Sequence, residues 1–357
     1  MTRSRKHSAT WELRMKAETL RAEVVTAVRE LAWDQWSQLG VSGAMPRHGE
    51  ERAADPEALL LFTLEIGRTD PRLFDEVLDW LALNEQLMSV HRLRNLCANP
   101  TDRALVDAAL DWVAGVRHRK QPPAGAKRSE SPTQLQPLFP GVPSPRSGLE
   151  PAFARYGLAR TPLGRSDKSQ PPRLKTPISF AFRLRRLLGV GVRAEVIRTL
   201  LTMRVPRLSG KVITASAGFA QRNVREGLTQ LYEAGVIDVV HIADERHYAI
   251  EVRDWAALLR LDDAPSLPLH FDWIPAYRAL TQITRWLQQP TLDELTPYLR
   301  ASQARTLIDG LRSDLAHVGV PVEVYGARGA EFWDEFVEIT RAAIRAARGT
   351  TPTTAHS

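Results

Sequence analysis

The sequence predicts a mainly α-helical protein that contains one small β-hairpin. Apolar residues recur with helical spacing over residues 10–116 and again over residues 271–348. The pattern changes to alternate residues between Val236 and Val252, as expected for two short strands. We therefore expect a helical N-terminal domain (1–116), a central domain with the hairpin (178–260) and a helical C-terminal domain (261–350).

Paired Asp-Pro steps mark helix starts in the N-terminal domain. Asp55-Pro56 and Asp70-Pro71 each place a capping carboxylate before a proline at the first helical position. Long amphipathic stretches at 11–36 and 102–116 predict helices on either side. The carboxylates Asp55, Asp70, Asp75 and Asp79 are interpreted as caps and helix-surface groups rather than an acid site. We expect this domain to serve interaction or oligomerisation.

Residues 117–177 are predicted to form a largely disordered, basic linker. Half of the 24 prolines of the chain lie there, and helical spacing is almost absent. Such a composition buries too little apolar surface to offset the entropy of ordering. The apolar stretches 135–140 and 153–157 are expected to dock on the protein's own domains or on a partner. The tail 351–357 is also predicted to be disordered.

The positive charge of the chain is concentrated in its middle. Net charge is −4 over residues 1–116, +9 over 117–177, +5 over 178–260 and −3 over 261–357. A basic tether beside a basic domain favours attraction to a phosphate backbone, although a merely soluble linker is the alternative.

The central domain carries the order helix, helix, turn, helix, hairpin. Residues 192–203 and 212–217 read as helices, and Gly218 is suited to the sharp turn that follows. In the next helix Val224, Leu228 and Leu231 share one apolar stripe and the polar residues lie outside it. Gly235 ends that helix, and residues 243–247 are expected at the hairpin tip. A preceding helix, 178–188, is predicted to bury Phe180, Leu184, Leu187 and Leu188.

This segment resembles the winged helix-turn-helix transcriptional regulators, the broad group that includes arsenic-responsive and antibiotic-resistance repressors. The matching residues run from Gly218 through Val224-Arg225-Glu226 and Leu228 to Ala234-Gly235, and the resemblance covers about residues 193–255. Ala220 stands where the pattern has a Ser or Thr cap, and Gly227 interrupts the helix.

The resemblance implies a recognition helix whose first turns face base edges in a DNA major groove. Arg suits guanine, and Asn or Gln suits adenine. The candidate DNA-binding residues are Gln221, Arg222, Asn223, Arg225, Thr229, Lys211, Arg246 and His247. Outward-facing arginines of the preceding helix, Arg183, Arg185 and Arg186, are expected to contact phosphates. Asp244 and Glu245 oppose this interpretation, because carboxylates repel phosphate.

The C-terminal region is predicted to be helical over 271–288, 291–300, 302–317 and 331–348, and residues 320–325 could form a strand. Thr291 and Glu294 have the spacing of a capping box. Aromatic residues at helical spacing are interpreted as core or dimer seam. A helical domain in this place is typical of dimerisation or effector sensing.

Several classes of function are excluded or disfavoured by the residues. The single cysteine, Cys97, allows no intramolecular disulfide or cysteine cluster, and the histidines match no metalloprotease spacing, so no metal or cofactor is expected. Gly189-Val190-Gly191 follows an Arg-rich helix rather than a strand, which argues against dinucleotide binding. No signal peptide or membrane span is predicted, which favours a cytoplasmic protein with no membrane partner.

We therefore expect a DNA-binding transcription regulator, without enzymatic activity, that acts as a homodimer on double-stranded DNA. The alternative is an antitoxin or defence-system accessory protein that uses the same domain to bind a protein partner. An enzyme with an unrecognised site is a third possibility.

Overall fold

In the computed structural model the chain is mainly α-helical, as the sequence predicts. It carries a small three-stranded antiparallel sheet where the sequence predicts a two-stranded hairpin. The structure describes residues 2–43, 50–117, 135–143, 148–261, 267–322 and 329–349, with side chains from residue 17 onward. The α-helices in this part are α1 (Thr2–Gln38), α2 (Pro56–Ile66), α3 (Pro71–Asn84), α4 (Val90–Leu96), α5 (Pro100–Val116), α6 (Pro151–Ala154), α7 (Phe180–Leu188), α8 (Val192–Thr202), α9 (Gly210–Ala217), α10 (Gln221–Glu233), α11 (Val252–Leu258), α12 (Trp273–Leu287), α13 (Pro297–His317) and α14 (Phe332–Arg348). The strands are β1 (Gln136–Pro137), β2 (Leu158–Ala159), β3 (Leu208–Ser209), β4 (Asp238–Ile242) and β5 (Glu245–Ala249).

The chain divides into two compact units rather than into the three expected domains. One unit joins Met1–Ala32 to Asp272–Ser357, and the other spans Trp33–Phe271. Most of α1 therefore packs with the C-terminal helices. The remaining N-terminal helices share a unit with the central domain because charged side chains of both are buried together, as described below.

The first unit is built from α1 and α12–α14. Aromatic side chains fill its core, with Trp286 against both Trp333 and Phe336. Two ion pairs, Arg341 with Glu23 and Arg348 with Glu30, join α14 to α1. This arrangement agrees with the interpretation of the aromatic residues as core.

Three sequence predictions for the C-terminal region are wrong: the capping box, the two separate helices and the strand. Thr291 and Glu294 lie in a 3₁₀ turn, Pro290–Glu294, and form no capping box. Helix α13 instead begins at Pro297, where the hydroxyl of Thr296 accepts from the Leu299 N–H, and it runs unbroken across residue 301. Residues 320–322 are not a strand; the rest of that prediction and the tail 351–357 lie outside the described residues.

In the second unit, helices α2, α3 and α5 pack around one another. Each begins with a proline, and the residue before that proline caps the helix. Asp55 accepts from Ala58 N–H and Asp70 from Leu73 N–H, as predicted. However, Asp55 and Asp79 are buried instead of lying on the helix surface. Both carboxylates take part in further contacts that sequence spacing alone does not indicate.

Residues 135–143 and 148–177, here called the strap, are packed against these helices and not disordered. Strands β1 and β2 pair in parallel, Gln136 with Leu158. The apolar stretches predicted to dock do so: Leu138 and Phe153 are fully buried. Farther along, the Gln170 N–H donates to Gly40 O at 2.8 Å. The linker prediction is therefore wrong for the strap, and its residues 118–134 and 144–147 lie outside the described part.

Arginines hold the strap in place. The Arg160 guanidinium lies 5.3 Å from the ring centroids of both Phe139 and Phe153 and forms an ion pair with Asp75 at 2.7 Å. Arg155 pairs with Asp111 on α5. Both arginines form ion pairs with carboxylates of the same unit. Their positive charges are therefore neutralised within the protein and are not available to a phosphate backbone.

The central segment folds as helices α7 and α8, strand β3, helices α9 and α10, and the β4–β5 hairpin. Strand β3, which the sequence does not predict, pairs antiparallel with β5, giving the strand order β3–β5–β4. Tyr248 of β5 faces both Leu208 and Val239 across the sheet. The return strand begins at Glu245, three residues earlier than expected. Val252 begins α11 instead of ending the strand, because Glu251 caps that helix.

Gly227, a residue with low helix propensity, lies where α10 crosses α8. A Cβ atom at this position would be 3.0 Å from Cγ1 of Val192. Glycine therefore permits the close approach of the two helices, and this approach offsets the lower propensity.

The strap is expected to depend on Arg160. Replacing it with Met (Arg160→Met) removes the ion pair and the contacts with the aromatic rings, and should lower the free energy of unfolding by about 1–3 kcal/mol. Urea denaturation measures the loss, and cleavage by thermolysin within 148–177 should become faster. The matched change Arg155→Met, at an exposed pair, should cost at most about 1 kcal/mol. Equal effects of the two changes would contradict the assignment.

Candidate functional site

The candidate site is the exposed side of α9, α10 and the β4–β5 hairpin. The Ser209 hydroxyl accepts from Val212 N–H at the start of α9, and the helix ends at Gly218, whose φ of 66° lies in the left-handed region. Helix α10 then begins at Gln221, preceded by Ala220, which makes no capping hydrogen bond. The sharp turn between the helices leaves the first turn of α10 pointing away from the core.

Most of the predicted contact residues on α10 are exposed. Gln221, Arg222 and Arg225 are open to solvent, whereas Asn223 is half-buried. Thr229 is also exposed, but its hydroxyl donates to the Arg225 carbonyl at 3.0 Å within the same helix. Thr229 is therefore a weaker candidate for an outside partner than the three residues of the first turns.

A groove of about 500 Å³ separates α10 from the hairpin. Lys211, Arg225 and Arg246 line it, together with the carboxylates Asp244 and Glu245. The lining thus has a net charge of +1, and three cationic side chains from three different elements converge on it. An extended anion in the groove would be attracted by the three cations and repelled by Asp244 and Glu245.

The hairpin tip is shorter than predicted. Only Ala243 and Asp244 connect the strands, because Ile242 pairs directly with Glu245. His247 therefore lies within β5, opposite both Val240 and Ser209, and it is half-buried. The prediction that His247 is at the tip is wrong, and of the two predicted contacts Arg246 remains the exposed one.

One of the three predicted phosphate contacts on α7 is wrong. Arg185 is 3% exposed and lies in the interior. Arg183 is half-buried and donates to the Leu259 carbonyl, and Arg186 is exposed. Leu187, predicted to face inward, is 50% exposed. The buried face of α7 differs from the predicted one because the helix also packs against α3, where the ring centroids of Phe182 and Trp80 are 5.8 Å apart.

Six charged side chains form a network in the interior of the second unit, and the sequence analysis did not anticipate it. Its members all have at most 3% of their surface exposed: Asp55, Glu57, Arg92, Arg185, Glu195 and Arg198. Arg92 pairs with Asp55 and with Glu57, at 2.8 Å for the latter. Arg185 bridges Glu57 and Glu195 at 2.6 and 2.7 Å. Three positive and three negative charges balance.

The network also contacts the end of α9. Arg92 Nε donates to Ala217 O at 2.6 Å, and a terminal nitrogen of Arg198 lies 3.4 Å from Ser216 O. These carbonyls end α9, immediately before the turn at Gly218. Arginines of α4 and α8 therefore satisfy the helix end and fix the turn from which α10 departs. The signal in the sequence is a charge among apolar neighbours, such as Glu57 before Ala58-Leu59-Leu60.

Burial and neighbouring charge act in opposite directions on the carboxylates. Burial raises the pKa of Glu195, but the charges of Arg185, Arg198 and Arg92 outweigh it and hold the pKa well below its usual range. Asp55 behaves in the same way, its pKa being lowered chiefly by Arg92 against the effect of burial. Both carboxylates are therefore ionised at neutral pH.

Other reactive groups do not form a site in the described part of the chain. Burial, aided by Asp102, raises the pKa of the Cys97 thiol to about 11, so the thiolate is scarce at neutral pH. No group of three or more His, Cys, Asp or Glu side chains among the described residues could hold a metal ion. Within that same part, no helix combines the length and apolar character needed to cross a bilayer.

Breaking the network is expected to destabilise the second unit strongly. Arg92→Met leaves Asp55 buried without its main partner and removes one of the two arginines that pair with Glu57. It should lower the free energy of unfolding by about 3–5 kcal/mol. Chemical denaturation followed by tryptophan fluorescence measures it. The control Arg103→Met removes a half-exposed pair with Asp107 and should cost at most about 1 kcal/mol. A loss for Arg92→Met no larger than the control would contradict the role of the network.

The network should also make stability depend on pH in the acid range. Because the folded pKa of Glu195 lies below its unfolded value, its contribution is present above about pH 4.3 and is lost as pH falls toward the folded value. Urea denaturation at pH 7, 5, 4 and 3 should show this loss. Glu195→Gln should remove up to about 1.4 kcal/mol per pH unit from the slope below pH 4. Parallel profiles for the two proteins would refute the assignment.

Comparison of the chain with protein-family models, with curated proteins and with solved structures finds no match. No related protein therefore indicates a function for this chain. Three features of the molecule bear on its function: the exposed residues of α10, the groove beside it and the order of the elements that carry them.

Proposed function

We propose that the central segment is a winged helix-turn-helix and that the protein binds double-stranded DNA through it. The observation that supports this most strongly is the sheet order. Strand β3 enters before α9 and pairs with β5, so the hairpin is held beside the first turns of α10. The hairpin then serves as the wing and α10 as the recognition helix.

The chemistry of the exposed residues suits this role. Gln221, Arg222 and Arg225 project from the first turns of α10, which is the part of a recognition helix that reaches base edges. Arg225 also lines the groove with Lys211 and Arg246. A DNA strand whose bases face α10 would pass its phosphates along this groove, where three cations from different elements offset the phosphate charge.

We also propose that the protein acts as a homodimer in transcription regulation, since a dimer reads two half-sites about one helical turn apart. The carboxylates Asp244 and Glu245 favour a second candidate, in which the same groove binds a protein partner such as the target of an antitoxin. A lining with both signs of charge complements a mixed protein surface better than it complements a row of phosphates.

Binding to duplex DNA at several salt concentrations tests the first candidate. The wild-type protein should select one sequence from a random duplex library, and a protected region of two half-sites would indicate a dimer. The double change Arg222→Ala, Arg225→Ala should abolish selection, because each lost base contact costs about 1–3 kcal/mol. Lys211→Ala should instead weaken binding to all sequences and reduce the salt slope by about one.

The matched control is Arg278→Ala, Arg312→Ala, which removes two partly exposed arginines of α12 and α13 and changes the net charge equally. The control should keep wild-type selection. If the wild-type protein binds all duplexes equally weakly, and the α10 double variant does the same, the DNA-binding proposal fails. Binding of a protein partner that requires Asp244 and Glu245 would then favour the second candidate.

A further inference from the structure

Helix α4 lies outside the segment that resembles a regulator, yet one of its side chains contacts the recognition face. Nε2 of His91 is 3.4 Å from Nδ2 of Asn223 and 3.3 Å from Nδ2 of Asn95. The His91 ring also stacks on Phe219, with centroids 6.2 Å apart and planes inclined by 30°. His91 is thus held between its own helix, the turn after α9 and the first turn of α10.

The relative placement of α4 and α10 is fixed by the neighbouring residue. Arg92, which follows His91 in sequence, is fully buried and donates to Ala217 O at the end of α9. The exposed His91 and the half-buried Asn223 are therefore carried by elements that are tied together through the charge network. Both residues lie in helices, so their contact does not depend on the conformation of a loop.

The contact has a chemical consequence for Asn223. Two amide nitrogens face Nε2 of His91, and since an amide nitrogen can only donate, Nε2 is the acceptor in both contacts. An asparagine amide has two N–H donors and one carbonyl oxygen. With one N–H directed at His91, Asn223 keeps the other N–H and the oxygen, which is the pair that bidentate recognition of adenine needs.

We propose that His91 is a positioning residue that orients the Asn223 amide to read an adenine in the major groove. This inference rests on the proposed DNA binding. It adds a positioning residue from outside the central segment, His91, and names the base that Asn223 reads, adenine. Orienting the amide before binding reduces the entropy lost on contact and excludes the rotated amide, which presents the opposite order of donor and acceptor. Because His91 is exposed, its contact contributes little to stability, which leaves orientation as its effect.

Selection from a random duplex library tests the proposal. The wild-type protein should prefer adenine at one position, and Asn223→Ala identifies that position by losing the preference there. His91→Phe keeps a ring against Phe219 but removes the acceptor, and should reduce the adenine preference by about tenfold at that position alone. His91→Gln restores an acceptor oxygen and should regain part of the preference. A merely structural role for His91 predicts no such rescue.

The control His317→Phe replaces an exposed histidine of α13 and should leave selection unchanged. The melting temperature of His91→Phe should match that of the wild type; if it is lowered, His91→Ala takes its place with the same expected loss. The proposal is overturned if the His91 variants keep the full adenine preference, or if the position lost in Asn223→Ala shows no adenine preference in the wild type. Absence of selective binding by the wild type would overturn the proposed function as well, so the two failures are distinguishable.

Discussion

The second unit depends on burying six charges in one place. A single charge in the interior costs several kcal/mol, and this cost is offset only when partners are placed with good geometry. Here three arginines and three carboxylates alternate, and each arginine also contacts a backbone carbonyl oxygen. An apolar core tolerates small shifts between helices, but a network of this kind loses hydrogen bonds as soon as one helix moves. The network therefore specifies the arrangement of α2, α4, α7 and α8 more narrowly than apolar packing does.

The end of α9 is included in that arrangement, and this links the interior to the exposed surface. Arg92 satisfies the Ala217 carbonyl directly before the turn at Gly218, so the direction in which α10 leaves the turn is fixed from inside. Gly227 then lets α10 approach α8 closely. The exposed residues Arg222 and Arg225 are consequently presented on a helix that is held at its start and along its length. Preorganisation of this kind is what base recognition by a few side chains requires.

Local signals in the sequence were sufficient for most of the helices. The Asp-Pro starts of α2 and α3, the stripe of Val224, Leu228 and Leu231, and the turn at Gly218 all depend on neighbouring residues and were predicted correctly. Strand β3 could not be predicted, because two residues carry no periodicity and are strands only through pairing with β5. The position of His247 follows from the register of β4 and β5, in which Ile242 pairs with Glu245 and leaves a two-residue tip.

Charged residues were the main source of error, and the reason is physical. Net charge and proline content predicted a solvated linker, but neither reports which carboxylates lie opposite the arginines once the chain folds. Arg160 is buried among aromatic rings because Asp75 is available on α3, a pairing between residues far apart in sequence. Arg185 was assigned to the solvent for the same reason. A helical wheel places an arginine on the exposed face unless a buried partner is known, and the partner here is Glu57.

The same reasoning bears on the candidate surface. Once the arginines of the strap and of the network are assigned to internal partners, the positive charge left for an outside ligand is smaller than the sum over the chain suggests. Four of the exposed cations, Lys211, Arg222, Arg225 and Arg246, lie close to the first turns of α10. A diffuse basic tether would bind any polyanion, whereas a few cations at fixed positions around one helix discriminate by geometry. The positions of these four charges, rather than the net charge of the chain, therefore support the proposed recognition of a nucleic acid by this surface.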